Sequence, residues 1–192
     1  MANICCDDVY FYSDTNPKGI KSLWADLTAS IDLSPTGSWI GNLFQHKKIP
    51  TTGVCLRGTV TYMEQNEEGI LLDLSTAWSP LYDAYRAVSS FYNVSFVCKS
   101  IEPEEDVYFN TDTTGRFFPE EYMITIHDED EVTPLGRKVS EVLEDWAVYG
   151  SGQELLDSFQ KLGYPASSVE ELETLLSEQD IVIHAFENPQ DI

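Results

Sequence analysis

Positive charge is what this chain has least of: eleven Lys and Arg stand against thirty-three Asp and Glu, a formal net charge of −22. A field of that sign repels nucleic-acid phosphate and anionic lipid. Direct nucleic-acid binding and a membrane-surface role are therefore not expected. The densest basic cluster, His46-Lys47-Lys48, is too small to reverse that expectation. Long apolar runs are missing as well, and none approaches the ~20 residues that cross a bilayer. The first residues, Met1 to Cys6, lack both a charged and an apolar leader segment, so a cytoplasmic protein with reduced thiols is expected.

Catalytic and metal signatures are equally scarce. Cysteine occurs four times, at Cys5, Cys6, Cys55 and Cys98. Neighbours such as Cys5 and Cys6 point to opposite faces of a strand, which suits neither pairing nor shared ligation. His46, His127 and His184 are scattered, and no Cys or His pair has zinc spacing. The acidic run after His127 lacks the alternating acids and glycine of a calcium loop. There is no Gly-x-Ser-x-Gly elbow, no phosphate-binding Gly-rich loop with Lys-Ser/Thr and no dinucleotide fingerprint. Catalytic residues, cofactor ligands and metal ligands are accordingly expected to be none.

What is present is a folded chain. Hydrophobic residues make up 42% and aromatics 12%, with ten Tyr, nine Phe and four Trp. That is too much apolar side chain for a disordered acidic tail, so the acids decorate folded structure. Residues 1–60 carry five bases and five acids, residues 61–100 two and five, and residues 101–192 four and twenty-three. The excess charge thus lies in the second half.

Local patterns divide the first half into elements. Ile4 to Tyr12 reads as a strand, stopped by Asp14-Thr15-Asn16-Pro17, with Pro17 opening a helix that carries Ile20, Leu23, Trp24, Leu27 and Ile31 inward. A short helix around Trp39 to Phe44 precedes a hairpin of Arg57–Gln65 and Ile70–Ala77. Ser79-Pro80 opens a further helix, with Ser79 as its cap, and Val94–Ile101 closes a β-α-β-β-α-β order. Trp78 is placed to close one end of the core. The fold class expected is α+β: a ferredoxin-like antiparallel sheet with two helices on one face, plus an acidic C-terminal α/β extension.

In the second half, Glu104–Asn110 and Glu121–His127 read as a hairpin extending that sheet. Thr133-Pro134 reads as the start of a helix striped by Leu135, Val139, Val142, Leu143 and Trp146. Ser151-x-x-Glu154 and Ser168-x-x-Glu171 match the capping box of two more helices, and Ile181–Phe186 reads as a final strand. The domains expected are residues 1–125 and an acidic extension, residues 126–192, packed on the first and covering Tyr10 and Tyr12.

Three short motifs carry a family resemblance: Met1-Ala2-Asn3-x-Cys5, Thr76-Ala77-Trp78-Ser79-Pro80, and Glu102-Pro103 after the fourth strand. Over roughly residues 1–125 the chain resembles the YubB-like, ferredoxin-like domain family. The family often has Trp where this chain has Ile4, and a Gly where it has Glu104 and Glu105. The resemblance implies a bacterial mobile-element setting, plasmid or phage, and no known activity. The function expected is that of a non-catalytic interaction or regulatory protein with a protein partner, basic in character. The alternatives are an acidic nucleic-acid mimic that inhibits a DNA-binding protein, and a metal-dependent enzyme with a site between the halves. The candidate interaction surface is Asp128, Glu129, Asp130, Glu131, Glu141, Glu144 and Asp145.

Overall fold

The computed structural model describes residues 3–128 and 130–189, which divide into two compact units meeting at Asp112 and Thr113. Together they hold five α-helices and two antiparallel sheets. In the first unit the centre is strand β1 (Ile4–Tyr12), whose odd-numbered residues Cys5, Asp7, Val9 and Phe11 are all buried. Alternation of this kind is what a half-buried strand requires. Around it lie β2 (Gly58–Gln65), β3 (Gly69–Ala77), β4 (Ser95–Glu102) and β5 (Val107–Asn110), in the order β2-β3-β1-β4-β5. Each neighbouring pair is antiparallel.

Three helices serve this sheet. Helix α1 (Pro17–Ser30) is capped by Asn16, whose Oδ1 accepts the Gly19 N–H at 3.1 Å. The Asn16 amide also donates to the carbonyls of Tyr92 and Asn93, which end helix α3 (Tyr82–Tyr92). The two helix ends approach so closely that a Cβ on Gly19 would sit 2.5 Å from the Tyr92 carbonyl oxygen, so only glycine fits. Helix α2 (Gly41–Lys47) adds Leu43 and Phe44 to a core containing Leu23, Leu27, Ile70, Leu72 and Tyr85.

Two expectations about the first unit are corrected. Helix α3 begins at Tyr82, and Ser79 does not cap it; the Ser79 carbonyl instead accepts the Thr76 hydroxyl. Trp78 does not close the core. It is 45% exposed with a φ of 72°, a left-handed conformation forced where the chain leaves β3 and the Trp78 N–H reaches the Asn3 carbonyl.

The second unit has its own sheet, ordered β7-β6-β8, from β6 (Tyr122–Ile126), β7 (Val148–Tyr149) and β8 (Ile181–Ala185). Helices α4 (Gly152–Gln160) and α5 (Val169–Leu176) pack Leu155, Phe159 and Leu172 into a core with Ile124, Tyr164 and Ile181. Both capping serines act, since Ser151 and Ser168 accept the N–H groups of Glu154 and Glu171 at 3.2 Å.

The expected β5–β6 hairpin does not form: β5 joins the first sheet beside β4, whereas β6 pairs with β7 and β8. The two compact units divide between residues 112 and 113, so β6 lies in the second. The helix expected from Pro134 is absent too. A turn closes from the Gly136 N–H to the Thr133 carbonyl, with Gly136 at φ 76°, and only a 3-10 turn at Val139–Glu141 follows. Trp146 at φ 65° breaks any helical continuation. Val139 and Leu143 are buried, but Leu135 is 64% exposed, so the apparent stripe is not a face.

Candidate functional site: an acidic cleft in the second unit

The 3-10 turn and the chain that returns to β7 shape a small open cleft of about 290 Å³, lined by Ile126, Ser140, Leu143, Glu144 and Asp145. Leu143, almost fully buried, and half-buried Ile126 supply the apolar part. Leu143 is set there by its N–H bond to the Val139 carbonyl at 2.9 Å. Glu144 and Asp145 are exposed on the lining. Asp145 is also anchored, because one carboxylate oxygen accepts the Ile126 N–H at 2.9 Å. That bond satisfies the backbone of β6 just beyond the two residues of β7. Among the described residues no Lys or Arg lines the cleft.

Among the acids singled out in the sequence, Glu144 and Asp145 therefore meet in one cleft. Glu141 is exposed in the 3-10 turn beside Ser140, outside the lining. Asp128 and Asp130 are exposed in the loop after β6, where Asp128 accepts the Asp130 N–H at 2.9 Å. Asp130 is engaged by Lys138 at 2.7 Å, which holds its carboxyl below the usual carboxylate range. Glu131 is half-buried and its carbonyl accepts the Val139 N–H. Glu129 lies outside the described residues. The surface proposed from sequence thus resolves into a paired loop and an open two-carboxylate cleft.

Sequence reasoning missed the other notable carboxylate, Asp7. It is fully buried at the centre of the first sheet, with Leu74 and Ser100 as its cross-strand neighbours. One oxygen accepts the Tyr85 hydroxyl at 2.5 Å and the Leu81 N–H at 3.1 Å, and the other accepts the Cys5 thiol at 3.3 Å. Ser100 Oγ has no hydrogen bond of ordinary geometry, yet it lies close enough to favour the carboxylate. Burial outweighs these donors and pushes the Asp7 carboxyl up from its ordinary value. The signal was present in the sequence, because Asp7 shares an alternation with Cys5, Val9 and Phe11.

Burial also governs the thiols of this cluster. Burial raises the Cys5 thiol strongly and pushes the Cys98 thiol up to about 12, so neither is a thiolate at neutral pH. What Asp7 accomplishes is mechanical: it ties β1 to the residue preceding α3, where a carboxylate also meets the positive end of the helix.

Two of the three residues of the basic cluster are engaged on Asp26. Asp26 binds Lys47 at 3.0 Å, His46 at 3.6 Å and the Tyr92 hydroxyl at 2.9 Å, joining α1, α2 and α3. Among the described residues no group of three or more His, Cys, Asp or Glu is arranged to hold a metal ion. No described helix is long and apolar enough to cross a membrane. Comparison with known proteins finds no match to the chain among protein-family models, curated proteins or solved structures.

Proposed function

We propose that this protein is a non-catalytic interaction protein whose second unit receives a positively charged protein partner. The observation that carries the reading is the concentration of open acid on that unit. Residues 113–192 hold eighteen Asp and Glu against four Lys and Arg, a net of −14, whereas residues 1–112 hold fifteen against seven, a net of −8. Lys138, one of the four, is already committed to Asp130. A field of that sign speeds encounter with a basic surface and discriminates against acidic ones. The cleft of Glu144 and Asp145 supplies a shaped position within it.

The first unit is read as the carrier of this surface and as a ferredoxin-like domain. Support comes from the order β2-β3-β1-β4, in which β1 and β3 lie adjacent and helices intervene between β1 and β2 and between β3 and β4. The resemblance to YubB-like proteins would add a bacterial mobile-element setting. Capture of partners at low salt, repeated at high salt, tests the function. A basic partner released by salt is expected; partners that are acidic, or that bind equally at both salts, would overturn the reading.

A further inference from the structure

We propose that Asp7 and Ser100 form a proton-operated latch on the start of α3. Protonated Asp7 donates to Ser100 Oγ and keeps the segment from Trp78 to Leu81 closed; loss of that proton to solvent opens it. The surroundings of the carboxyl come first. Asp7 and Ser100 are both fully buried and stand directly across from each other on β1 and β4. The titratable groups on that face are Cys5 on β1, Cys98 and Glu102 on β4 and Tyr85 on α3. Glu102 turns to the Glu105 N–H. β3 brings Leu74 and Thr76, and α1 turns only Gly19, Ile20, Leu23 and Leu27 to the core. No base is among them. Lys99 pairs with Asp8 on the opposite face of the sheet, at 3.3 Å. An ionised Asp7 is thus buried without a countercharge, and burial pushes its carboxyl up.

Ser100 Oγ is the second observation. It is buried with no hydrogen-bond partner, yet close enough to act on the Asp7 carboxyl. A hydroxyl can donate to a carboxylate or accept from an acid. Asp7 Oδ2 already takes the Tyr85 hydroxyl and the Leu81 N–H, whereas Oδ1 takes only the weakly donating Cys5 thiol. With the proton on Oδ1, both bonds to α3 persist and Ser100 gains a partner.

The third observation is a strained segment at the surface. Trp78 is exposed and left-handed at φ 72°, a conformation that costs a non-glycine residue energy. Three bonds hold the segment: the Trp78 N–H to the Asn3 carbonyl, the Thr76 hydroxyl to the Ser79 carbonyl, and the Leu81 N–H to Asp7. Displacing it hydrates an ionised Asp7 without breaking a strand pair. The latch is therefore closed at low pH and opens as pH rises through the folded carboxyl's value.

The test follows the Asp7 carboxyl by 13C NMR in the full chain, and the Leu81 and Tyr85 amides by hydrogen exchange corrected for its intrinsic pH dependence. Asp7 should titrate above the ordinary carboxylate range, and both amides should lose protection through that titration. Asp7→Asn, a neutral mimic that can still donate to Ser100, should keep their protection constant. Ser100→Ala tests the direction of the bond. Removing an acceptor from the acid lowers the Asp7 titration, whereas removing a donor to the carboxylate raises it. An Asp7 carboxyl titrating in the ordinary range would overturn the latch. So would a titration that does not fall in Ser100→Ala, or amide protection indifferent to Asp7. The wild-type and Ser100→Ala readings decide the matter even where Asp7→Asn fails to fold.

Discussion

Asp7 in the first unit and Asp145 in the second perform the same local task, each accepting a backbone N–H, at 3.1 Å and 2.9 Å. Their surroundings differ completely. Asp7 is sealed under α3 and surrounded by donors from Tyr85, Leu81 and Cys5. Asp145 is exposed, with Glu144 beside it and, among the described residues, no Lys or Arg on the cleft lining. A carboxylate whose donors are all internal contributes to the fold alone. One that meets a single donor and faces solvent retains capacity for a partner. The contrast shows that a net charge of −22 is not one property of the molecule, because individual acids are assigned to different work.

The largest effect should come from breaking the buried side of the contrast. Asp7→Ala leaves the Tyr85 hydroxyl and the Leu81 N–H without their acceptor and should cost about 2–4 kcal/mol in urea unfolding. A neutral result would mean that Asp7 does not anchor α3. Asp7→Asn sharpens the same point through pH. The folded carboxyl is raised, so its proton linkage stabilises the fold below the unfolded value near 3.8 and is lost as pH rises through the folded value. The stability of the Asn variant relative to wild type should therefore climb from about pH 4 toward neutrality. A difference that stays flat across that range would contradict the raised carboxyl.

A middle-sized effect belongs to the helix caps of the second unit. Ser151→Ala and Ser168→Ala should each cost about 1 kcal/mol, read as a lower urea midpoint. Smaller still is Lys47→Met, which removes the ion pair on Asp26 at the first unit's surface and should cost no more than about 1 kcal/mol. Burial acts against it, but Lys47 and Tyr92 bring the Asp26 carboxyl below its usual range. The stabilisation is present above the unfolded value and lost as pH falls through the folded one. The Lys47→Met deficit should shrink on acidification; a deficit that grows would reverse the assignment.

The comparison also explains what the sequence made legible. Through Glu102 the elements, apart from the start of α3, announce themselves: β1 alternates, Asn16-Pro17 opens α1, and the strand read from Ile70 is β3. Signals of that kind are local, and local signals survive without knowledge of tertiary contacts. The second unit depends on distant pairings instead. Tyr122 meets Ala185, a separation no local pattern encodes, and β7 contributes only two residues. Leu135, Val139, Val142, Leu143 and Trp146 had helical spacing, but Gly136 and Trp146 take left-handed conformations that break it. Half of the candidate site was readable, since Glu144 and Asp145 stood out as acids. The apolar Ile126 and Leu143 gave no hint of their role, because only folding brings β6 alongside the 3-10 turn.

Whether the second unit carries a site or a uniform coat is decided most directly by moving the neutralised acids while keeping their number constant. Binding of an arginine-rich peptide would be measured for Glu144→Gln with Asp145→Asn, and for Glu170→Gln with Glu173→Gln on α5. The account predicts that the cleft variant loses roughly tenfold in affinity while the α5 variant stays close to wild type. Equal losses from both pairs would contradict it and leave only a diffuse acidic surface.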